Sequence, residues 1–130
     1  MDFYVDAASR APIYRQLAEQ IRAAIARGRL RANARLPSVR ELSRRLVINP
    51  NTVARVYTEL ERDGLLVTRP GLGVFVASPG SDLTKKARRE RLVALLDGFF
   101  TEAVLLGFTA DEVQDLVRDR SAQFQWQAPA

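Results

Sequence analysis

The sequence predicts a mainly α-helical chain with one small β-hairpin, an N-terminal winged helix-turn-helix followed by a separate helical segment. Three observations carry that reading. Apolar residues recur at helical spacing in three stretches before Gly64, each with start or stop signals at its ends. The period then shortens to that of strands on either side of a Pro-Gly-Leu-Gly run. Beyond Ser78-Pro79-Gly80-Ser81 the helical period returns and the charge balance reverses.

Pro12 opens the first helix, and Tyr14, Leu17, Ala18, Ile21, Ala24 and Ile25 repeat along one face. Proline suits a first turn because its missing N–H would be unpaired there anyway, and Gly28 suits the stop. The helix is expected over residues 12–27, with Arg15, Gln16 and Arg22 on the wet side. Residues 30–37 show no period and read as a connector.

Ser38-Val39-Arg40-Glu41 is a capping box, in which Ser38 caps a second helix and Glu41 reaches back to it. Val39, Leu42 and Leu46, with the small Ser43, form its inner face. After a tight connection at residues 47–49, Asn49 caps the third helix and Pro50 takes its first position. Val53, Val56, Tyr57 and Leu60 are its buried stripe, Tyr14 and Tyr57 being core or core-edge residues, and Gly64 ends it. Two short helices joined by a turn of about four residues form a helix-turn-helix.

The hairpin is expected from residues 65–69 and 74–76, with its tip at 70–73. A helix capped by Ser81 or Asp82 then runs to about Leu106, where Gly107 stops it. Thr109-Ala110-Asp111-Glu112 is a second capping box, opening a helix with Val113, Leu116 and Val117 inside. The tail beyond Ser121 has no clear period. The expected domains are therefore residues 1–77, a linker at 78–82, and a helical segment at 83–130.

Composition narrows the function. The 130 residues are 47% apolar and 27% charged, an ordinary globular balance with room for a core. Cysteine and histidine are both absent. That removes disulfides, thiol nucleophiles, imidazole bases and the usual zinc sites, so neither an enzyme, nor a cofactor, nor a metal is expected. There is no apolar run of membrane-spanning length and no basic-then-apolar leader, so a cytoplasmic protein without a membrane partner is expected.

Charge is unevenly distributed. The chain has 20 Lys plus Arg against 15 Asp plus Glu, a net charge of +5. Between Arg22 and Arg55 stand nine arginines (22, 27, 29, 31, 35, 40, 44, 45 and 55) and a single acid, Glu41. So dense a cationic stretch suits a polyanion, because each neutralised phosphate releases counterions.

The remaining pieces fit duplex DNA. A recognition helix needs a first turn of short polar side chains free to enter the major groove, and Asn51 and Thr52 supply them. The positive end of the helix dipole favours phosphate at the same place. Arg40 is a candidate for a bidentate guanine contact, Arg55 a second reader, and Arg44 a phosphate contact. In the wing, Arg69 followed by Gly71 and Gly73 offers a cation and bare backbone to the minor groove.

The runs LPSVREL, NPNTVARVYTELERDGL and GLGVFV together resemble the DNA-binding domain of the GntR family of bacterial transcription regulators, over residues 12–76. The short helical remainder is similar to that of the YtrA-like subfamily. The resemblance implies a homodimeric repressor on a palindromic operator, and gives DNA-contact roles to Arg35, Ser38, Arg40, Asn51, Thr52, Arg55, Arg69, Gly71 and Gly73. Pro50 departs from the many members outside this subfamily that carry arginine near the start of the recognition helix, which shifts expected base reading toward Arg40 and Arg55.

A dimer is also expected from the C-terminal pattern. Leu92, Leu95, Leu96, Phe99, Phe100, Ala103, Val104 and Leu106 give one helix more apolar surface than a single short partner helix covers, and a second subunit supplies the matching face. Fold-back onto the first helix is the competing arrangement. Whether a small-molecule effector exists is left open, with Phe99, Phe100, Phe108 and Trp126 as candidate lining. The alternative to a DNA reader is a winged helix that docks an acidic protein.

Overall fold

The computed structural model describes residues 2–78 and 85–127. Its elements run α1 (Ile13–Ala26), α2 (Val39–Leu46), α3 (Pro50–Arg62), β1 (Leu66–Arg69), β2 (Gly73–Val76), α4 (Lys85–Leu105) and α5 (Ala110–Ser121). The chain divides into two compact units, Met1–Ser81 with Gln125–Ala130, and Asp82–Phe124.

In the first unit, Leu17, Ile21 and Ala24 of α1 meet Leu42 of α2, Val53, Val56, Tyr57 and Leu60 of α3, and Leu66 and Val76 of the hairpin in one core. Burying aliphatic side chains of this size contributes roughly 1.5–3 kcal/mol each. The caps follow the sequence. Ser38 Oγ accepts from Glu41 N at 3.1 Å while Ser38 N donates to Glu41 Oε1 at 3.3 Å. Asn49 Oδ1 accepts from Asn51 N at 2.8 Å, and Pro50 opens α3.

Two expectations for the first unit need correction. Residues 30–37 are more than a connector. Leu30 and Leu36 are buried. Asn33 N donates to Val76 O at 2.8 Å, Leu36 N to Val74 O at 2.9 Å, and Val76 N to Ala34 O at 2.9 Å. Arg35 thereby forms an isolated antiparallel bridge with Phe75, and residues 33–36 run as a short edge segment beside β2. The pairing is too brief to leave a two-residue alternation in the sequence, which is why it read as aperiodic.

Gln16 is the second. It is half-buried rather than wet, and its amide accepts from Asp6 N at 2.8 Å and donates to Asp6 O at 2.9 Å and Ala11 O at 2.7 Å. Gln20 grips Tyr4 in the same two-way manner, through Tyr4 N and Tyr4 O. These amides tie down the arm that precedes α1, whose Phe3 and Val5 pack against the core. Nothing in a 3.6-residue period distinguishes such a glutamine from a solvated one.

In the second unit, α4 and α5 are joined through Gly107, at φ +84°, and Thr109 caps α5 with Glu112 as its reciprocal partner. Ala103 and Val113 are buried there. Leu116 and Val117, expected inside, are 42% and 49% exposed, because two helices alone enclose little. Seven of the eight residues proposed for a subunit interface, Leu92, Leu95, Leu96, Phe99, Phe100, Val104 and Leu106, are 41–72% exposed, and Ala103 is not. The cap expected at Ser81 or Asp82 lies outside the described residues, as does most of the expected linker. No described helix is long and apolar enough to cross a membrane.

Candidate nucleic-acid interface

The helix-turn-helix is held in one geometry by Tyr57. Its ring is buried in the core and its Oη donates to Pro37 O at 2.7 Å, just ahead of the Ser38 cap of α2. Burial, reinforced by the negative charge of Glu41, pushes the phenol far above its ordinary pKa, so it remains a donor. The turn itself passes through Val47, which holds φ 55° and ψ 52° and closes α2 by donating to Ser43 O.

On α2, Arg40 and Arg44 lie four residues apart and so share one exposed row. Among the described residues neither has an ion-pair partner. Beside them Glu41 and Arg45 form a loose exposed pair at 4.0 Å, and hydrogen bonds from Ser38 hold the Glu41 carboxyl below its usual range. Glu41 therefore answers Ser38 and Arg45 and leaves Arg40 available.

On α3, Asn51, Arg55 and Thr58 follow the 4, 3 spacing of one face. Asn51 and Thr58 are exposed, Arg55 keeps more than half of its side chain in water, and Thr52 is half-buried. Asn49 does the capping, so the side chain of Asn51 is not spent on the helix end. Arg55 is partly engaged: Nε donates to Glu59 Oε1 at 3.3 Å and the guanidinium lies over the Tyr14 ring at 4.1 Å. Thr58 was not singled out from sequence; its position on the Asn51–Arg55 face is the signal that marks it.

The wing is built on β1 and β2, with Leu66 opposite Val76, Val67 opposite Phe75, Thr68 opposite Val74 and Arg69 opposite Gly73. Gly71, at φ +74°, has open space where a Cβ would stand, so the turn needs glycine for its backbone angle alone. Gly73, at φ +127°, needs it for its backbone angle too, and an added Cβ would stand 2.9 Å from Arg35 Nε and push that flexible side chain aside. Arg69 extends across Phe75, 4.4 Å from the ring centroid, and donates to Asn33 Oδ1 at 2.9 Å. The structure thus brings Arg35, Arg69, Gly73 and Phe75 together with Asn33, which sequence reasoning passed over because it sat in the supposed connector. Leu72, 64% exposed between the two glycines, is the apolar tip of the wing.

Among the described residues no cluster of His, Cys, Asp or Glu could hold a metal ion. What the first unit offers is a polar helix start, an unpaired arginine row and a cationic wing, groups of the chemical kind that base edges and phosphates accept.

Comparisons with known proteins agree with this geometry. The family described as bacterial regulatory proteins, gntR family, matches residues 13–76. The HTH-type transcriptional regulator YhcF of Bacillus subtilis is 38% identical over 113 residues, 85% of this chain and 90% of the relative. The HTH-type transcriptional repressor YtrA of the same organism is 29% identical over 118 residues, 91% of each chain. Among solved structures, AraR(DBD) in complex with operator ORX1 superposes with a TM-score of 0.52 at 27% identity, covering 57% of this chain and 94% of that one. These similar proteins are regulators rather than enzymes.

Proposed function

The chain belongs to the GntR family of bacterial regulatory proteins, with a DNA-binding winged helix, and from that premise we propose that it is a homodimeric repressor acting on a palindromic operator in the cytoplasm. The first turn of α3 and the Arg40–Arg44 row enter the major groove, where Arg40 and Asn51 read base edges and Arg35, Ser38, Arg44, Thr52 and Arg55 fix register. Arg69, Gly71 and Gly73 bring the wing to the minor groove. Helices α4 and α5 form the subunit contact through Leu92, Leu95, Leu96, Phe99, Phe100, Val104 and Leu106, while Ala103, expected there too, is already buried within its own chain.

The single observation that carries the proposal is that the Asn51 side chain and the Arg40 guanidinium are both left unspent on a helix-turn-helix whose caps are filled by Ser38 and Asn49 and whose Glu41 pairs with Arg45. Two-fold symmetry is supported by the exposed apolar face of α4, which a second copy covers at least cost. The repressor assignment rests on the name of the YtrA relative.

Duplexes retained from a random pool should converge on a two-fold symmetric site, and the protein should sediment as a dimer that Leu96→Glu dissociates. Retention without convergence, or an asymmetric site bound by a monomer, overturns the proposal.

A further inference from the structure

The apolar seam of α4 is not apolar along its whole length. Lys85, Arg89, Leu92, Leu96, Phe99 and Ala103 succeed one another at alternating steps of four and three, the spacing that keeps residues on one helix–helix seam. The last four are apolar and the first two are cations. Arg88 flanks the same stripe, and Lys86 and Arg91 bring the opening seven residues of α4 to five positive charges against one acid, Glu90. Lys86 reaches Glu90 at 3.9 Å with both side chains largely in water, a pair of little value. Lys85, Arg88, Arg89 and Arg91 have no ion-pair partner among the described residues, and all four are exposed.

The arrangement is unfavourable in the isolated chain. Cations at the start of a helix oppose its dipole, and α4 has no acid in its first turn. In a pair of chains joined along this seam, like charges would occupy seam positions where the leucines stop. A dense line of anions relieves both problems. Nine residues along the chain take Val76 of the wing to Lys85, a span of about 30 Å at full extension, shorter than one turn of B-DNA at about 34 Å.

We propose that Lys85, Arg88 and Arg89 form a second phosphate-binding stripe, which grips the backbone of the same duplex outside the bases read by α2 and α3. This rests on the DNA-binding function proposed above and adds a footprint to it. The stripe carries no sequence information; it contributes affinity, salt dependence and a requirement for duplex length.

The test compares the full chain with the triple variant Lys85→Gln, Arg88→Gln, Arg89→Gln, in which glutamine keeps helix propensity and removes charge. Binding to a selected site is titrated at several salt concentrations, on a duplex trimmed to the protected core and on one extended at both ends. We expect the salt slope of the variant on the long duplex to fall by about 0.9 for each phosphate that is no longer neutralised, roughly 2–3 per chain. Preference among sites should be unchanged. Trimming should lower the slope of the wild type and leave that of the variant alone. A charge-preserving variant, Lys85→Arg, Arg88→Lys, Arg89→Lys, should retain the wild-type slope, which separates charge from folding. Equal slopes for wild type and triple variant would overturn the stripe while leaving the function standing. A tighter dimer with an unchanged slope would assign these cations to the seam and overturn it likewise. A wild type that ignores duplex at any salt would remove the function, and this inference with it.

Discussion

Arg69 of β1 is steered by Asn33, thirty-six positions earlier: its guanidinium donates to Asn33 Oδ1 at 2.9 Å while lying across the face of Phe75. Asn33 reaches that position because it sits in the left-handed region, φ 69°, at the start of the short edge segment. Asparagine tolerates that conformation better than most side chains. One residue thus turns the chain and orients the wing arginine.

Replacing it separates those duties. Asn33→Ala should lose the hydrogen bond and strain the turn, and Asn33→Gly should lose only the bond. Operator affinity should fall several-fold in both, by about 0.5–1.5 kcal/mol for an exposed bond of this kind. Thermal stability should fall in the alanine variant alone. Unchanged affinity in the glycine variant would show that Arg69 finds its place without help.

The arginine row on α2 should divide by role. Arg40→Ala is expected to cost about 1–3 kcal/mol on the selected site and much less on random duplex, flattening preference at one base pair. Arg44→Ala should weaken both equally and lower the salt slope by about one unit. Titrations on matched and scrambled duplexes at two salt concentrations decide the assignment, and the reverse pattern would exchange the two residues.

Val47 gives a stability prediction. A β-branched side chain at φ 55° and ψ 52° is strained by about 1–2 kcal/mol, and at 88% exposure it recovers almost nothing through burial. Val47→Asn should therefore raise the denaturation midpoint by the equivalent of about 1 kcal/mol. Glycine should help less, since it also loosens the unfolded chain. Chemical denaturation checks this, and a lowered midpoint would mean that the Val47 side chain has a packing partner in the folded protein.

Acid should loosen the two capping boxes. Hydrogen bonds from Ser38 and Thr109 lower the carboxyl pKa of Glu41 and Glu112 from an ordinary 4.5. A depressed folded-state pKa means that the stabilisation is complete above the unfolded value and is lost as pH falls through the folded one. Stability should thus decline below pH of about 4.5, and the Glu41→Gln, Glu112→Gln double variant should show a shallower decline over that range. An identical slope in both proteins would assign acid sensitivity to other carboxylates.

Much of this was legible in the sequence. The capping boxes at Ser38 and Thr109, the Asn49-Pro50 start and the hairpin around Gly71 and Gly73 are local chemistry, spelled by adjacent residues. What escaped was set by distant pairing. Asn33 and Ala34 belong to the sheet because of Val76, and Gln16 is half-buried because Asp6 and Ala11 lie against it. Leu116 and Val117 look like core from their period, but periodicity shows which face is apolar and not whether anything covers it. The DNA contacts assigned to Arg40, Asn51 and their neighbours rest on the same kind of local reading and await the titrations above.

The edge segment has a further consequence for how the molecule assembles. Its partner lies some forty residues downstream, so those three backbone bonds close a large loop and should form after the helices have gathered. The tight hairpin, by contrast, needs only its neighbours. The wing should consequently take shape in two stages, and amide exchange at Asn33 and Leu36 should outpace that at Val56 and Leu60. Arg69, whose bearing depends on Asn33, is then aimed last: the newly made chain acquires its compact body before it acquires a fully directed grip.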